Sequence, residues 1–267
     1  MNSIELEERL AKLEQRQALA DDFATAAFWT ALDASYAITL PDRLIRCIVC
    51  DREACRGSWE ILSDECMFGG GRLERYRCPD CDCVFGPMKF LDLSEAFVRL
   101  DYRMLYSRYS EGDSTESERR TFQALDPAPG KAYLDWGCGG AWSRTIDTLR
   151  ADGFDVWGFE PSALEPSDFI VIDRNQIGAR FDGIFSNNVI EHFRDPIAQF
   201  RDLHGLLKDG ALMAHSSPCY DYAFSFTRFH SLFLLGRSPE VLANRTGFRV
   251  VDRERDGEYI NLIYQRR

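Results

Sequence analysis

The chain has 267 residues, 45% hydrophobic and 28% charged, which is globular composition and excludes a wholly disordered polymer. Its 32 basic and 43 acidic side chains sum to −11, and no basic stripe offsets that charge, which argues against nucleic acid as a partner. No run of 18 apolar residues marks a membrane span, and the charged start MNSIELEERLAKLEQRQ is not a secretory signal; a cytoplasmic location is expected, in which the nine cysteines are metal ligands or buried thiols.

Residues 1–40 are rich in Ala, Leu, Glu and Gln and contain no Gly or Pro. Leu6, Leu10 and Leu13 follow 4–3 spacing, and the register continues through Gln17, Ala20, Ala24 and Ala27, which predicts a helix with an apolar stripe. The stripe serves either to pack the helix on its own domain or as a short arm that forms a homodimer. Phe23, Phe28 and Trp29 need a surface to bury against.

Residues 41–92 hold seven of the nine cysteines. Cys47-Ile48-Val49-Cys50 and Cys78-Pro79-Asp80-Cys81 are two C-x-x-C knuckles separated by 27 residues, room for a small hairpin or loop. Four thiolates on two bends suit a structural Zn²⁺ in a closed tetrahedron. Asp51 and Asp82 follow the second cysteines, and Asp tolerates the left-handed conformation a knuckle needs there. Cys83 competes with Cys81 as the fourth ligand, while buried thiols and a redox centre are the rival readings.

Residues 93–130 read as a helical connector with a polar break at Glu111-Gly112-Asp113-Ser114, and Asp126-Pro127-Ala128-Pro129-Gly130 marks a boundary. Tyr102, Tyr106 and Tyr109 share one helix face, either as core or as flat rings lining a sugar site. From Lys131 to Arg267 the rhythm becomes strand–turn–helix. Candidate strands are Ala132–Trp136, Asp155–Glu160, Phe169–Ile172, Gly183–Ser186 and Ala211–Ser216, in a mostly parallel α/β sheet. Phe248–Arg253 and Tyr259–Gln265 flank the turn 255–258 as an antiparallel hairpin.

The turn Leu134-Asp135-Trp136-Gly137-Cys138-Gly139-Gly140-Ala141 follows a strand and opens a helix, so its backbone can approach a ligand closely. Trp142 stands where a dinucleotide fingerprint needs a small residue, which argues against NAD. Asp135, two residues before the first glycine, suits a cationic ligand better than a phosphate.

This turn resembles the first motif of class I S-adenosylmethionine-dependent methyltransferases, with Ala141 in place of the third glycine. Gly158-Phe159-Glu160-Pro161-Ser162 resembles the acidic end of their second strand, Phe181 through Glu191-His192 the fourth-strand motif, and Leu206-Leu207-Lys208-Asp209-Gly210 the turn into strand five. Some members also carry an N-terminal zinc ribbon and a tyrosine-rich helix. The resemblance implies a Rossmann-like seven-stranded sheet with its last strand antiparallel, preceded by a small zinc ribbon and a helix. It implies cofactor contacts from Asp135, Gly137, Cys138, Gly139, Glu160, Asp173 and Asn187, with Glu160 on the ribose hydroxyls. About ten residues separate Glu160 from the third strand, so the intervening helix is short or absent, which bears on Asp173.

On the acceptor side, His192 is the candidate general base and Glu191 the candidate for orienting it. His215, His230 and the tyrosine face are structural or secondary candidates. The activity so implied is methyl transfer from S-adenosylmethionine to a small-molecule acceptor, with family analogy pointing to a sugar or glycan-related metabolite. The alternatives are a catalytically silent, zinc-containing interaction module and a zinc-ribbon protein acting on nucleic acid or translation; the charge disfavours the latter.

Overall fold

A computed structural model of the chain describes residues 3–110, 112–178 and 180–267. Helix α1 (Ser3–Thr39) runs for 37 residues and stops before Pro41. Its two halves behave differently. The stripe Leu6-Leu10-Leu13-Gln17-Ala20-Ala24-Ala27 faces solvent throughout, with Leu13 60% exposed. The helix packs instead through Thr25, Phe28, Trp29, Leu32 and Tyr36, a different face confined to its second half. Phe28 stacks on Phe97 at 4.5 Å and Trp29 is buried, while Phe23, expected to find a surface, is 76% exposed.

The cysteine-rich stretch forms β1 (Leu44–Arg46), β2 (Glu53–Cys55), β3 (Glu60–Glu65), β4 (Arg72–Arg77) and β5 (Val84–Phe85). After a one-turn helix α2 (Met88–Leu91) come α3 (Glu95–Tyr106) and α4 (Thr115–Gln123). Ser94 caps α3 by accepting the Phe97 N–H, which defines its start. Of the polar stretch expected to break the helices, Gly112-Asp113-Ser114 lies between them, and Glu111 is outside the described residues.

The remaining elements are β6 (Ala132–Trp136), α5 (Arg144–Ala151), β7 (Asp155–Phe159), β8 (Ile170–Val171), β9 (Phe181–Asn187), α6 (Pro196–Leu206), β10 (Leu207–Ser216), β11 (Leu232–Phe233), α7 (Ser238–Thr246), β12 (Phe248–Asp256) and β13 (Tyr259–Arg266). Seven strands form one sheet in the order β12-β13-β10-β9-β6-β7-β8. β8, β7, β6, β9 and β10 run parallel, and β13 is antiparallel to both β10 and β12. The expected hairpin at the end of the chain therefore supplies the sheet's one reversed strand. Among the described residues no helix links β7 to β8, only turns, as the short spacing after Glu160 implied.

β3, β4 and β5 form an antiparallel sheet whose fourth strand is β11, from the far end of the chain, in the order β11-β5-β4-β3. The expected hairpin between the knuckles is β3–β4. The buried cluster runs without a break from Ile45, Cys47 and Tyr76 to Leu134, Phe200 and Tyr264, so the cysteine-rich stretch shares its core with the large sheet.

Candidate active site

The two knuckles fold alike. Cys47 N–H donates to Arg52 O (2.8 Å) and Asp51 N–H to Cys47 O (3.1 Å); Cys78 N–H donates to Cys83 O and Asp82 N–H to Cys78 O, both at 2.8 Å. Asp51 and Asp82 adopt φ of 66° and 68°, the left-handed conformation expected of them. Tertiary structure adds a reason for Asp rather than Gly. Asp51 pairs with Arg245 near the end of α7, and Asp82 accepts from Arg237 N–H (3.1 Å) and Nε (3.0 Å) just before that helix. Both knuckles are thus fastened to α7.

The thiols of Cys47, Cys50, Cys78 and Cys81 lie within 4.8 Å of one another. Cys47 and Cys81 Sγ are 3.7 Å apart, and Cys50 and Cys78 Sγ 3.4 Å. A tetrahedron with Zn–S near 2.3 Å requires S···S of about 3.8 Å, so the set fits zinc with little adjustment. Cys83 is buried beside the group but outside this set of four. All nine cysteines are free thiols.

The second region is the glycine turn at the carboxyl end of β6. Gly137 and Gly139 have φ of 82° and 83°, which side-chain-bearing residues rarely adopt. A Cβ on Gly137 would lie 2.6 Å from Val189 Cγ2, so this glycine also seats the loop after β9; beside Gly139 the space is open. Glu160, 8% exposed at the end of β7, accepts the Gly139 N–H through Oε2 (3.0 Å). Its Oε1 accepts from Ser162 N–H (2.9 Å) and Oγ (2.5 Å).

Asp135 is buried, and its Oδ2 has no hydrogen-bond partner among the described residues. Burial, followed by the charges of Glu118 and Glu160, pushes its carboxyl well above the ordinary range. A bound cation would relieve both the burial and the repulsion. Cys138 is buried against Gly158, where a Cβ would come within 2.7 Å of its Sγ. Asp173 lies just past β8, exposed, its Oδ1 accepting the Asn175 N–H (3.0 Å); Asn187 ends β9, half-buried. An orphaned acid, an open glycine turn and a second acid tied across it fit a cofactor with a cationic sulfonium and ribose hydroxyls. Glu118, on α4, is a member of this acid group that sequence reasoning missed. It accepts hydroxyl donors from Ser114 and Thr145, and its position outside the sheet motifs left no local signal.

The third region is the mouth beyond β9. Asn188, with φ of 55°, turns the chain into a short 3-10 segment, Ile190–His192. His192 Nδ1 lies 3.0 Å from Tyr102 Oη and 3.1 Å from Phe229 O. Because the carbonyl can only accept, this contact places a proton on Nδ1 and leaves Nε2 with its lone pair. Glu191 is buried, and one of its oxygens lies within 4.8 Å of a ring nitrogen of His192 and of His230. Tyr102 and the Phe229 carbonyl aim His192, the latter from a segment that sequence reasoning did not connect with it.

His230 Nδ1 donates to Phe224 O (3.0 Å), and its ring centroid is 5.2 Å from that of His192. Burial lowers the His230 pKa to about 3, with the His192 and Arg75 charges acting in the same direction. His215 is enclosed by Phe200 and Tyr264 and bonded to Ser186 Oγ; burial alone lowers it to about 3, so it belongs to the core. Of the tyrosine face, Tyr102 reaches His192, Tyr106 stacks on Tyr102 at 6.1 Å, and Tyr109 meets Phe68 at 5.4 Å.

A parallel sheet closed by one reversed strand, with a glycine turn and an acid at the ends of its first two strands, defines the class I S-adenosylmethionine-dependent methyltransferases. A family model described as a methyltransferase domain matches residues 112–254, just over half the chain, and the chain belongs to this family. No curated protein matches it. Among solved structures it is similar to an S-adenosylmethionine-dependent methyltransferase from Mesorhizobium loti (15% identity, 56% of this chain and 98% of that one, TM-score 0.41). It is also similar to the CcbJ methyltransferase from Streptomyces caelestis (14%, 61% and 94%, TM-score 0.43). A third is the magnesium protoporphyrin IX methyltransferase from Synechocystis, solved with S-adenosylhomocysteine bound (18%, 65% and 95%, TM-score 0.39). Among the described residues no helix is long and apolar enough to cross a membrane.

Proposed function

We propose that this methyltransferase acts on a hydroxyl or an acidified C–H of a small-molecule acceptor, a sugar or glycan-related metabolite, with His192 as the general base. The observation that carries this reading is the clamp on His192. With Nδ1 held by Phe229 O and Tyr102 Oη, Nε2 is the ring's basic atom, at the end of the strand beside the glycine turn. Bound S-adenosylmethionine supplies an electrophilic methyl group. The chain's own residues do the rest: Asp135 and Glu160 hold the cationic and hydroxylated parts of the cofactor, Asp173 and Asn187 flank it, and the backbone of Gly137, Cys138 and Gly139 allows its close approach. His192 takes the acceptor's proton, and the nearby Glu191 carboxylate stabilises the imidazolium that forms. Tyr102 and Tyr106 provide stacked rings beside the base, suited to a sugar face.

Cys47, Cys50, Cys78 and Cys81 would hold a structural zinc, whose role is to close the two knuckles. We place the protein in the cytosol, where nine cysteines without a disulfide are stable as thiols or zinc thiolates. The solvent-facing stripe on α1 favours the second reading of that helix, an arm pairing with another copy of the chain.

The test is transfer of labelled methyl from S-adenosylmethionine to a panel of nucleotide sugars, free sugars and other hydroxylated metabolites. Transfer to a sugar that stops in His192→Ala supports the proposal. Transfer only to protein or RNA overturns the acceptor class. Tight S-adenosylhomocysteine binding without transfer to any acceptor favours the catalytically silent module.

A further inference from the structure

Arg75 lies at the centre of β4, between the two knuckles, and is fully buried. A buried guanidinium is costly unless its donors are satisfied. Here they are spent on backbone carbonyls from one distant segment. Nη1 donates to Ser225 O (2.7 Å), Nη2 to Thr227 O (2.7 Å) and His230 O (3.0 Å), and Nε to His230 O (3.2 Å). The Asp64 carboxylate is farther away, at 3.7 Å. The guanidinium therefore acts mainly as a backbone clamp.

The clamped segment continues to the acceptor side. The Phe229 carbonyl meets His192 Nδ1, and Ser231 N–H donates to Glu191 O (2.9 Å). Immediately afterwards Ser231 O accepts the Gly86 N–H (3.0 Å), and Leu232–Phe233 enters the small sheet as β11. One turn of backbone is thus pinned on one side by Arg75 and the cysteine-rich sheet, and on the other carries the carbonyl that selects the His192 tautomer. The phenyl ring of Phe229 reinforces this, packing 4.5 Å from the Tyr102 ring, the second partner of His192.

We propose that Arg75 is a positioning residue for the acceptor side: by holding the carbonyls of Ser225, Thr227 and His230 it fixes the segment whose Phe229 carbonyl keeps His192 protonated on Nδ1. The catalytic meaning of this role, though not the positioning itself, rests on His192 being the base, so its test reads the imidazole directly rather than turnover. A lysine keeps the charge but cannot present the guanidinium fork to three carbonyls.

The experiment compares wild type, Arg75→Lys and Arg75→Ala by side-chain ¹⁵N spectra of histidine-labelled protein, with His192→Gln used to assign the His192 signals. S-adenosylhomocysteine affinity and zinc content are measured alongside. The wild type should show His192 as a single Nδ1–H tautomer. Both variants should lose that single form and shift towards the averaged signals of exchanging tautomers, with cofactor affinity and zinc content unchanged. Ethylguanidinium added to Arg75→Ala should restore the wild-type pattern. Unchanged His192 signals in the variants would overturn the proposal. So would loss of all dispersed histidine signals together with cofactor binding in both variants, because Arg75 would then support the whole fold rather than this segment. If His192→Ala remains active while the Arg75 variants shift the tautomer, the base assignment fails and the positioning role stands.

Discussion

At the scale of single residues, the cofactor acids and the histidines carry the most direct consequences. Glu160 is nearly buried and holds the Gly139 N–H and Ser162, and it is the acid proposed to accept from the ribose hydroxyls of the cofactor. Glu160→Ala should weaken S-adenosylhomocysteine binding by about 1–3 kcal/mol, the cost of unpaired polar groups, as read by calorimetry. Unchanged affinity would remove the assignment. With His192 as the proposed base, the neutral ring is the active form, so turnover should rise with pH and then level off. His192→Ala should cost about 10²-fold or more in turnover with cofactor affinity retained, because the loss falls on the chemical step. A flat pH profile and an active His192→Gln would point to positioning alone. His215 and His230 affect stability instead. Both are held neutral by burial at about 3 when folded, against an ordinary value of 6.5, so the unfolded chain binds more protons below neutrality. Their contribution is complete above about pH 6.5 and is lost progressively as pH falls towards about 3. The urea midpoint should drop between pH 7 and pH 5, and His215→Gln should shallow that slope. A slope identical to wild type would contradict the assignment.

At the scale of elements, the cysteine-rich sheet is the informative unit. Its four candidate ligands sit on two loops, which meet through thiol contacts and through the Arg52 guanidinium, whose Nη1 donates to both Asp80 carboxylate oxygens (2.9 and 3.0 Å). Purified protein should contain about one zinc per chain, and chelation should loosen this sheet before the seven-stranded one, because binding free energy is folding free energy for such sites. Since β11 is a strand of the same sheet, chelation should also expose residues 224–234 to protease, a result not expected if the cysteine-rich stretch were a separate module. Zinc lost in Cys83→Ser but retained in Cys81→Ser would move the fourth ligand.

At the scale of the whole molecule, α1 stands apart from the common core over its first half. At about 1.5 Å per residue, its 37 residues span about 55 Å, with Leu6, Leu10 and Leu13 turned to solvent. Two copies paired along this stripe would bury it, and sedimentation should show a dimer. Leu10→Asp with Leu13→Asp should yield a monomer that binds S-adenosylhomocysteine as tightly as wild type. A monomeric wild-type protein would refute the pairing.

Local chemistry alone determined the order of strands and turns from Lys131 onward, the reversed hairpin, the missing helix after Glu160 and the left-handed Asp51 and Asp82. Each depends on residues adjacent in sequence: alternation, glycines in a turn, or the length of a connection. The glycine turn was legible for the same reason, whereas Glu160 and the Glu191-His192 pair were singled out by their resemblance to class I methyltransferase motifs. Only the tertiary structure decided which face of α1 packs, because Thr25, Phe28 and Leu32 meet partners far along the chain while the more regular leucine stripe is exposed to solvent. It alone added β11 to the cysteine-rich sheet, Glu118 to the acids near Asp135, and Arg75 and the Phe229 carbonyl to the surroundings of His192. Those pairs lie from 17 to more than a hundred residues apart, and a buried carbonyl or guanidinium carries no periodicity; its partner is set by how the two sheets share one core.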